Sequence, residues 1–250
     1  MPLTDYSERT RNPRRRPGAS KDMFWRIQNV APASLIAYWP GDELSGTASI
    51  NYGAGGTARN GAYTGATLGY YGIGDGRRCP YYDAAGDRIN VFSAGMASAF
   101  TGQEFTVLAV VKVSSAGAWT DGVTRTCAHF YTDANNTFSL SKPPTSNIMQ
   151  FYTVMGGVSK NRQMACTSTG WVQAVGTVSL SGDKQILYLN GVASAAITGI
   201  GTWTGAITAA HIGSSYTGLT GYWSGNLAHI AVWSTPLSAN QVSYLYSGGF

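Results

Sequence analysis

The 250-residue sequence predicts an all-β protein of antiparallel strands, and three observations carry that prediction. Short β-branched or aromatic runs recur along the chain, each cut by Gly, Ser, Thr or Asn, the pattern of strands alternating with turns. Glycine supplies 32 residues, nearly twice its average use of roughly 7%, yet Gly and Pro together stay below the roughly 25–30% of low-complexity chains. The length suits one β-sandwich or barrel, which commonly runs to about 200–250 residues. Hydrophobic residues make up 44% and charged residues only 12%, against about 25% charged in an average soluble domain, so a folded, charge-poor unit is expected. No internal repeat of fixed period is visible.

The elements follow in chain order. Residues 1–30 hold seven basic residues (Arg9, Arg11, Arg14, Arg15, Arg16, Lys21, Arg26) against three acidic ones, whereas the remainder is nearly balanced, so most of the net charge of +5 lies in this arm. The stretch Arg11-Asn12-Pro13-Arg14-Arg15-Arg16-Pro17-Gly18 is not helix-forming, since each Pro restricts itself and the residue before it, and no apolar face is present. On its own in water it is expected to be disordered. In residues 23–30, Phe24, Arg26 and Gln28 alternate with Trp25, Ile27 and Asn29, which reads as an extended first strand or docking peptide. The division expected is therefore a basic extended arm, 1–30, and a β domain, 31–250.

Strong strand signals follow at 104–113, 126–131, 147–155, 171–180, 184–190 and 227–233. The first is apolar on both faces apart from Lys112, which predicts a central strand; in the fourth, Val172, Ala174, Gly176 and Val178 alternate with more polar neighbours, which predicts one wet face. Leu187-Tyr188-Leu189 runs into Asn190-Gly191, the strongest short hairpin signal. One late helix is specified by a Ser238 cap with Gln241 three residues on, a Leu237 to Val242 staple and a stop at Gly248-Gly249. Its stripe of Val242, Leu245 and Tyr246 needs a sheet to cover.

Several segments together resemble the laminin-G-like, concanavalin A-type jelly roll. Leu35-Ile36-Ala37-Tyr38-Trp39-Pro40 with Asp42-Glu43 is similar to that family's opening strand, and residues 82–89 to its turn before the next. Gly170-Trp171-Val172 with Ile186-Leu187-Tyr188-Leu189-Asn190-Gly191 resembles a paired-strand motif; His211-Ile212-Gly213, residues 225–233 and Pro236-Leu237-Ser238 resemble the C-terminal signature. The resemblance covers residues 33–250 and implies a two-sheet antiparallel jelly-roll sandwich. That fold hosts glycan-binding lectins, polysaccharide-cleaving enzymes and structural modules, so function rests on the site. Asn190 and Ala228, the latter followed by His229, stand where the family often has carboxylates, which removes ligands that calcium would use. Asp42, Asp83 and Asp87 remain as calcium candidates, expected instead to be turn and edge residues, and no cofactor is expected.

Catalytic signals are weak. The three glutamates, Glu8, Glu43 and Glu104, form no cluster, and Asp83 and Asp87 are the one carboxylate pair close enough to approach across a turn. His129, His211 and His229 sit in no nucleophile signature, and the last two lie in predicted strands as structural residues. Cys127 and His129 share a strand face without further ligands, a poor zinc site. Cys79, Cys127 and Cys166 are odd in number with no C-x-x-C spacing, so reduced buried thiols are expected. No apolar run reaches the roughly 18 residues of a membrane span, and no apolar h-region marks a secretory leader.

Two features do point to function. Tyr70, Tyr71, Tyr81, Tyr82, Trp119, Trp203, Tyr216 and Tyr222 lie in or beside Gly/Thr-rich loops, where flat amphipathic rings suit sugar faces and protein interfaces alike. The arm supplies an assembly anchor of Arg9, Arg11, Arg14, Arg15, Arg16, Phe24, Trp25 and Arg26. Together they lead us to expect a non-enzymatic structural or adhesion protein of a larger particle, most concretely a bacteriophage virion subunit, capsid-decorating or tail-associated. The arm would meet other virion subunits, the assembly would be multimeric, and the jelly roll would face a cell-surface glycan. A stand-alone lectin and a polysaccharide-cleaving enzyme are the alternatives.

Overall fold

In the computed structural model, which describes residues 22–216, 221–247 and 249–250, the apolar runs become strands and glycines take many of the turns between them. Sheet one contains β1 (Leu35–Trp39), β4 (Thr67–Tyr71), β5 (Arg78–Tyr82), β7 (Glu104–Val113), β12 (Val172–Ser179), β13 (Lys184–Leu189), β14 (Val192–Ala193) and β16 (Gly225–Trp233). Its order is β14-β13-β12-β7-β16-β5-β4, with β1 beside the C-terminal half of β16. Sheet two contains β2 (Ala48–Ser49), β3 (Gly61–Thr64), β6 (Arg88–Asn90), β8 (Arg125–Asp133), β9 (Asn136–Lys142), β10 (Ile148–Met155), β11 (Val158–Ala165) and β15 (Ala209–Ile212), in the order β11-β10-β9-β8-β15-β6-β3-β2. All the pairings within these sheets are antiparallel, giving the expected jelly-roll sandwich.

Between the sheets, Phe105, Val107, Ala109 and Val111 of β7 meet Phe130, Phe138 and Phe151 of sheet two. The rings of Phe130 and Phe138 stack at 4.8 Å, and Phe105 stacks on Phe138 at 4.9 Å. Gly176 in β12 makes room for this cluster, since a Cβ there would come within 2.7 Å of the Phe151 ring. Strand β7 is central, as its two apolar faces predict. The Asn190-Gly191 turn takes φ values of 49° and 77°, the positive pair that a tight hairpin requires.

A second apolar layer covers the outer face of sheet one. Met23 and Ile27 of α1 (Met23–Asn29), Val242 and Leu245 of α3 (Ala239–Tyr246), and Ile73 and Leu237 pack against Leu108, Val110, Val175, Tyr188, Ala231 and Trp233. Helix α2 (Ala94–Ala99) lies on the other side, sending Met96 into the inter-sheet core. The layer formed by α1 and α3 corrects two expectations. Strand β12 has no wet face: Gln173, Val175 and Thr177 are buried. Residues 23–30 are not an extended strand but mostly helix, because Asp22 caps the Trp25 N–H and Met23 and Ile27, four apart, share one buried face. Trp233 Nε1–H donates to the Val30 carbonyl at 2.9 Å. The fold therefore includes α1, and the boundary between residues 30 and 31 falls inside it. The Ser238–Gln241 capping box forms as expected, while Gly248 of the expected stop lies outside the described residues. Among the described residues no helix is long and apolar enough to cross a membrane.

Candidate functional site: the outer face of sheet two

Alternation along β8 and β15 decides what this face presents. Ala128, Phe130, Ala210 and Ile212 enter the core, so His129, Tyr131 and His211 point the other way. Strand register then lines up one row across the sheet, Asn161–Tyr152–Ser139–His129–His211–Asn90. Gln163, Gln150 and Ser141 form a neighbouring row on one side, and Ser159, Val154, Thr137 and Tyr131 on the other. These side chains are mostly amides, hydroxyls, phenols and imidazoles.

The segment after β15 folds back over the row. Tyr216 sets its ring 5.1 Å from Tyr131 and 5.7 Å from His211, and its backbone N–H donates to His129 Nδ1 at 2.9 Å. Because Nδ1 accepts, the ring proton sits on Nε2 and donates to Thr137 Oγ1 at 2.8 Å; Thr137 in turn donates to the Phe130 carbonyl at 3.0 Å. Burial, reinforced by neighbouring His211, lowers the His129 pKa to about 4. Burial also lowers that of His211, with Arg88 adding to it. Both rings are neutral near pH 7, and His129, committed at both nitrogens, has no lone pair left to act as a general base. Such a face can stack sugar rings on Tyr216 and Tyr131 and hydrogen-bond their hydroxyls through Asn90, Ser139, Tyr152 and Gln150.

The sequence-predicted contact residues do not converge. Tyr216 lies on this face, and Tyr222 is half-buried nearby, its carbonyl accepting from Arg125. Tyr70 and Tyr71 stand on β4 at the edge of sheet one. Tyr82, Trp119 and Trp203 are corrected: all three are buried in the inter-sheet core. Gly213 packs against the Tyr82 ring and Gly102 against Trp203; Trp119 and Trp203 spend their indole N–H groups on the carbonyls of Ser168 and Gly205. A large ring beside a glycine here marks a close approach of backbone rather than a loop tip.

Of the anchor set, Arg9, Arg11, Arg14, Arg15 and Arg16 lie outside the described residues. Phe24 and Arg26 are corrected as free contacts: Phe24 packs on Tyr38 and Tyr52, and Arg26 is buried with a hydrogen bond to the Ser247 carbonyl. Trp25 is 49% exposed.

The carboxylates weighed for calcium or catalysis are engaged separately. Asp42 pairs with Arg77, and Asp87 Oδ2 accepts from the backbone N–H groups of Asp83 and Ala84 at 2.9 and 3.0 Å, closing the turn before β6. These residues do not fit a calcium site, and among the described residues no group of three His, Cys, Asp or Glu is placed to hold a metal. Cys127 and His129 also part: a bulge at Thr126–Ala128 puts the Cys127 thiol in the core, where burial raises its pKa.

One polar constellation went unread in the sequence. His229 sits at φ 51° in a bulge of β16, its N–H donating to the Pro40 carbonyl at 3.1 Å, its Nδ1 2.7 Å from Tyr38 Oη and its Nε2 3.1 Å from Asp75 Oδ2. The His229 and Asp75 side chains are 1% and 0% exposed. Burial raises the Asp75 pKa, but His229 and the Arg77 N–H outweigh it and leave the carboxyl below its ordinary value. This relay is sealed beneath α1 and residues 72–77 and is structural in its reach.

A family model described as the concanavalin A-like lectin/glucanases superfamily matches residues 85–243. No curated protein matches the chain in sequence. Among solved structures, the binding domain of botulinum neurotoxin serotype D superposes with a TM-score of 0.63 at 12% identity, covering 86% of this chain and 52% of that one. This chain thus spans about half the length of that binding domain. Domain 4 of AbnA, an extracellular arabinanase from Geobacillus stearothermophilus in complex with arabinotriose, gives 0.57 at 18% identity, covering 85% of this chain and 98% of that one. The Trypanosoma rangeli sialidase in complex with the inhibitor DANA gives 0.58 at 11% identity, covering 85% and 32%. At these identities the likeness is one of fold.

Proposed function

The chain belongs to the concanavalin A-like lectin/glucanases superfamily, and from that premise we propose that it is a non-enzymatic carbohydrate-binding module borne on a larger particle, a capsid-decorating or tail-associated subunit of a bacteriophage virion. The observation that carries the glycan half is the contrast between the two outer faces. Helices α1 and α3 cover that of sheet one, while that of sheet two offers neutral rings, amides and hydroxyls in register. Domain 4 of AbnA, of similar fold, is solved in complex with arabinotriose, which supports a saccharide as the class of ligand. The non-enzymatic half is supported by the engagement of His129 at both nitrogens and of Asp87 in a turn.

The test is a glycan array read with the full chain, followed by titration of the best hit. Saturable binding is expected, and Tyr216→Ala is expected to weaken it about tenfold, the upper range of a lost aromatic contact. Absence of any hit, or a hit indifferent to both Tyr216→Ala and Tyr152→Ala, overturns the assignment. For the particle half, a chain lacking residues 1–21 is expected to fold but to lose particle occupancy, measured on gradient-purified virions; full occupancy removes the anchor. The cut belongs at residue 21 because removal of α1 exposes the second core.

One observation favours the stand-alone lectin as the second reading: α1 spends its apolar face on the sandwich of its own chain, burying Met23 and Ile27. An abundant glycan-binding chain with no particle association would select it.

A further inference from the structure

The aromatic residues of α1 and those of β4, far apart in sequence, meet at one edge of the sandwich, where Arg77 of the turn after β4 lies over Phe24 and Tyr70 and Tyr71 project to either side of the edge strand. Trp25 lies edge-on to Phe24 at 5.9 Å, Phe24 edge-on to Tyr52 at 5.2 Å, and the Arg77 guanidinium sits 3.9 Å over the Phe24 ring. Arg77 pairs with Asp42; two residues on, Leu44 reaches Gly69 of β4, where an added Cβ would stand 4.0 Å from its Cδ2. Tyr70 stacks on Tyr81 at 4.8 Å, and Arg78 lies 4.1 Å over Tyr71. Along this rim Trp25, Leu44, Tyr52, Tyr70 and Tyr71 are each exposed by 43% or more, and Tyr71 by 82%.

Isolated apolar side chains at a surface are ordinary, but a rim of Trp, Tyr, Leu and Arg is the composition of an interface centre. Strand β4 is also a free edge of sheet one among the described strands. Its register breaks between Thr67 and Tyr70, where Gly69 takes φ 85°, so the backbone is poorly shaped to accept another strand while its side chains stand clear. Recognition there runs through side chains. Charge narrows the occupant: among the described residues Arg78 has no ion-pair partner, and the sequence joining α1 at Asp22 carries Arg9, Arg11, Arg14, Arg15, Arg16 and Lys21 against Asp5 and Glu8. A nucleic-acid surface would array several unpaired cations, whereas among the described rim residues Arg77 is committed to Asp42 and Arg78 is the one cation without an ion pair.

We propose that the rim formed by Trp25, Leu44, Tyr52, Tyr70, Tyr71 and Arg78 is a docking surface for a protein partner that presents apolar side chains flanked by carboxylates. This names the partner chemistry for the anchoring half of the proposed function and rests on that reading for its setting; the glycan face lies on the other sheet, so the two fail independently.

The experiment pans the full-length protein against a random peptide display library. Enriched peptides are expected to combine Asp or Glu with Leu, Phe or Trp, to protect the amides of α1 and β4 from hydrogen exchange, and to lose about tenfold or more in affinity with Trp25→Ser or Tyr71→Ser. Both residues are exposed, so the variants are expected to fold, which a thermal melt checks. Peptides without acidic residues, or peptides bound equally by both variants, overturn the proposal. So does a concentration-dependent dimer in sedimentation that either variant abolishes, since the occupant would then be a second copy. Duplex DNA binding lost in either variant overturns it in favour of nucleic acid.

Discussion

Stability is expected to fall by about 3 kcal/mol as pH drops from 6.5 to 4, and His129 is the reason. Burial, with His211 beside it, lowers this imidazole to about 4 from the ordinary 6.5. In the unfolded chain the ring takes up its proton as pH falls through 6.5; in the fold it stays neutral until about 4. Between those values the unfolded state binds more protons, so stability rises with pH across the window and is fully present above it. His211, lowered too by burial and then by Arg88, adds to the same slope. Denaturant midpoints measured from pH 7 to 4 check this, and His129→Gln, neutral throughout, is expected to flatten the slope. A flat wild-type profile would show that His129 is not buried neutral. Because His129 Nδ1 accepts the Tyr216 N–H, protonation at that nitrogen breaks the bond that holds Tyr216 over the face. Glycan binding by the folded protein is therefore expected to hold from pH 7 to about 5 and to weaken only as pH falls through about 4, where this ring takes up its proton.

The largest single-residue effect is expected from Asp121→Ala, at about 3–5 kcal/mol. Lys142 has a fully buried side chain, its ammonium 2.6 Å from Asp121 Oδ1 and 3.2 Å from the Pro144 carbonyl. Arg125 Nε–H meets the other oxygen, Oδ2, at 2.8 Å, and the Val123 N–H also donates to the carboxylate. Removing Asp121 leaves the lysine charge buried without its counterion, which is far costlier than the pair itself is stabilising. Asp121 retains 22% side-chain exposure, so the lower end of the range applies. Chemical denaturation of Asp121→Ala beside the double change Asp121→Ala/Lys142→Met is the decisive comparison. The double variant is expected to recover most of the loss, since a methionine leaves no charge to satisfy. Equal destabilisation of the two would mean that Asp121 acts by holding the segment before β8 rather than by neutralising Lys142.

What was legible in the sequence follows burial. Strand β7, apolar on both faces, and the Asn190-Gly191 hairpin were readable because their local chemistry agrees with their place in the sheet. Strand β11, Val-Ser-Lys-Asn-Arg-Gln-Met-Ala, carries almost no apolar signal because it is an edge strand with little to bury. Residues 23–30 put Phe24, Arg26 and Gln28 opposite Trp25, Ile27 and Asn29 if extended, and also place Met23 and Ile27 four apart; the Asp22 cap and a waiting apolar sheet decide for the helical period. Trp119 and Trp203 sit among loop-like residues yet plug the core, since glycine-rich flanks serve close packing as well as turns. At the candidate site Tyr216 was readable as a loop aromatic. Tyr131, Tyr152 and the facing pair His129 and His211 were not, because only strand register brings them into line.

The meeting of α1 and α3 has one more consequence. Arg26 of the first helix bonds the Ser247 carbonyl just past the last, so the described chain enters and leaves on the same outer side, away from the polar rows of sheet two. A chain fused at Asp22 or at Phe250 therefore joins on the side opposite those rows, and in this sense the described sandwich is a one-sided cassette whose attachment face and polar face lie apart.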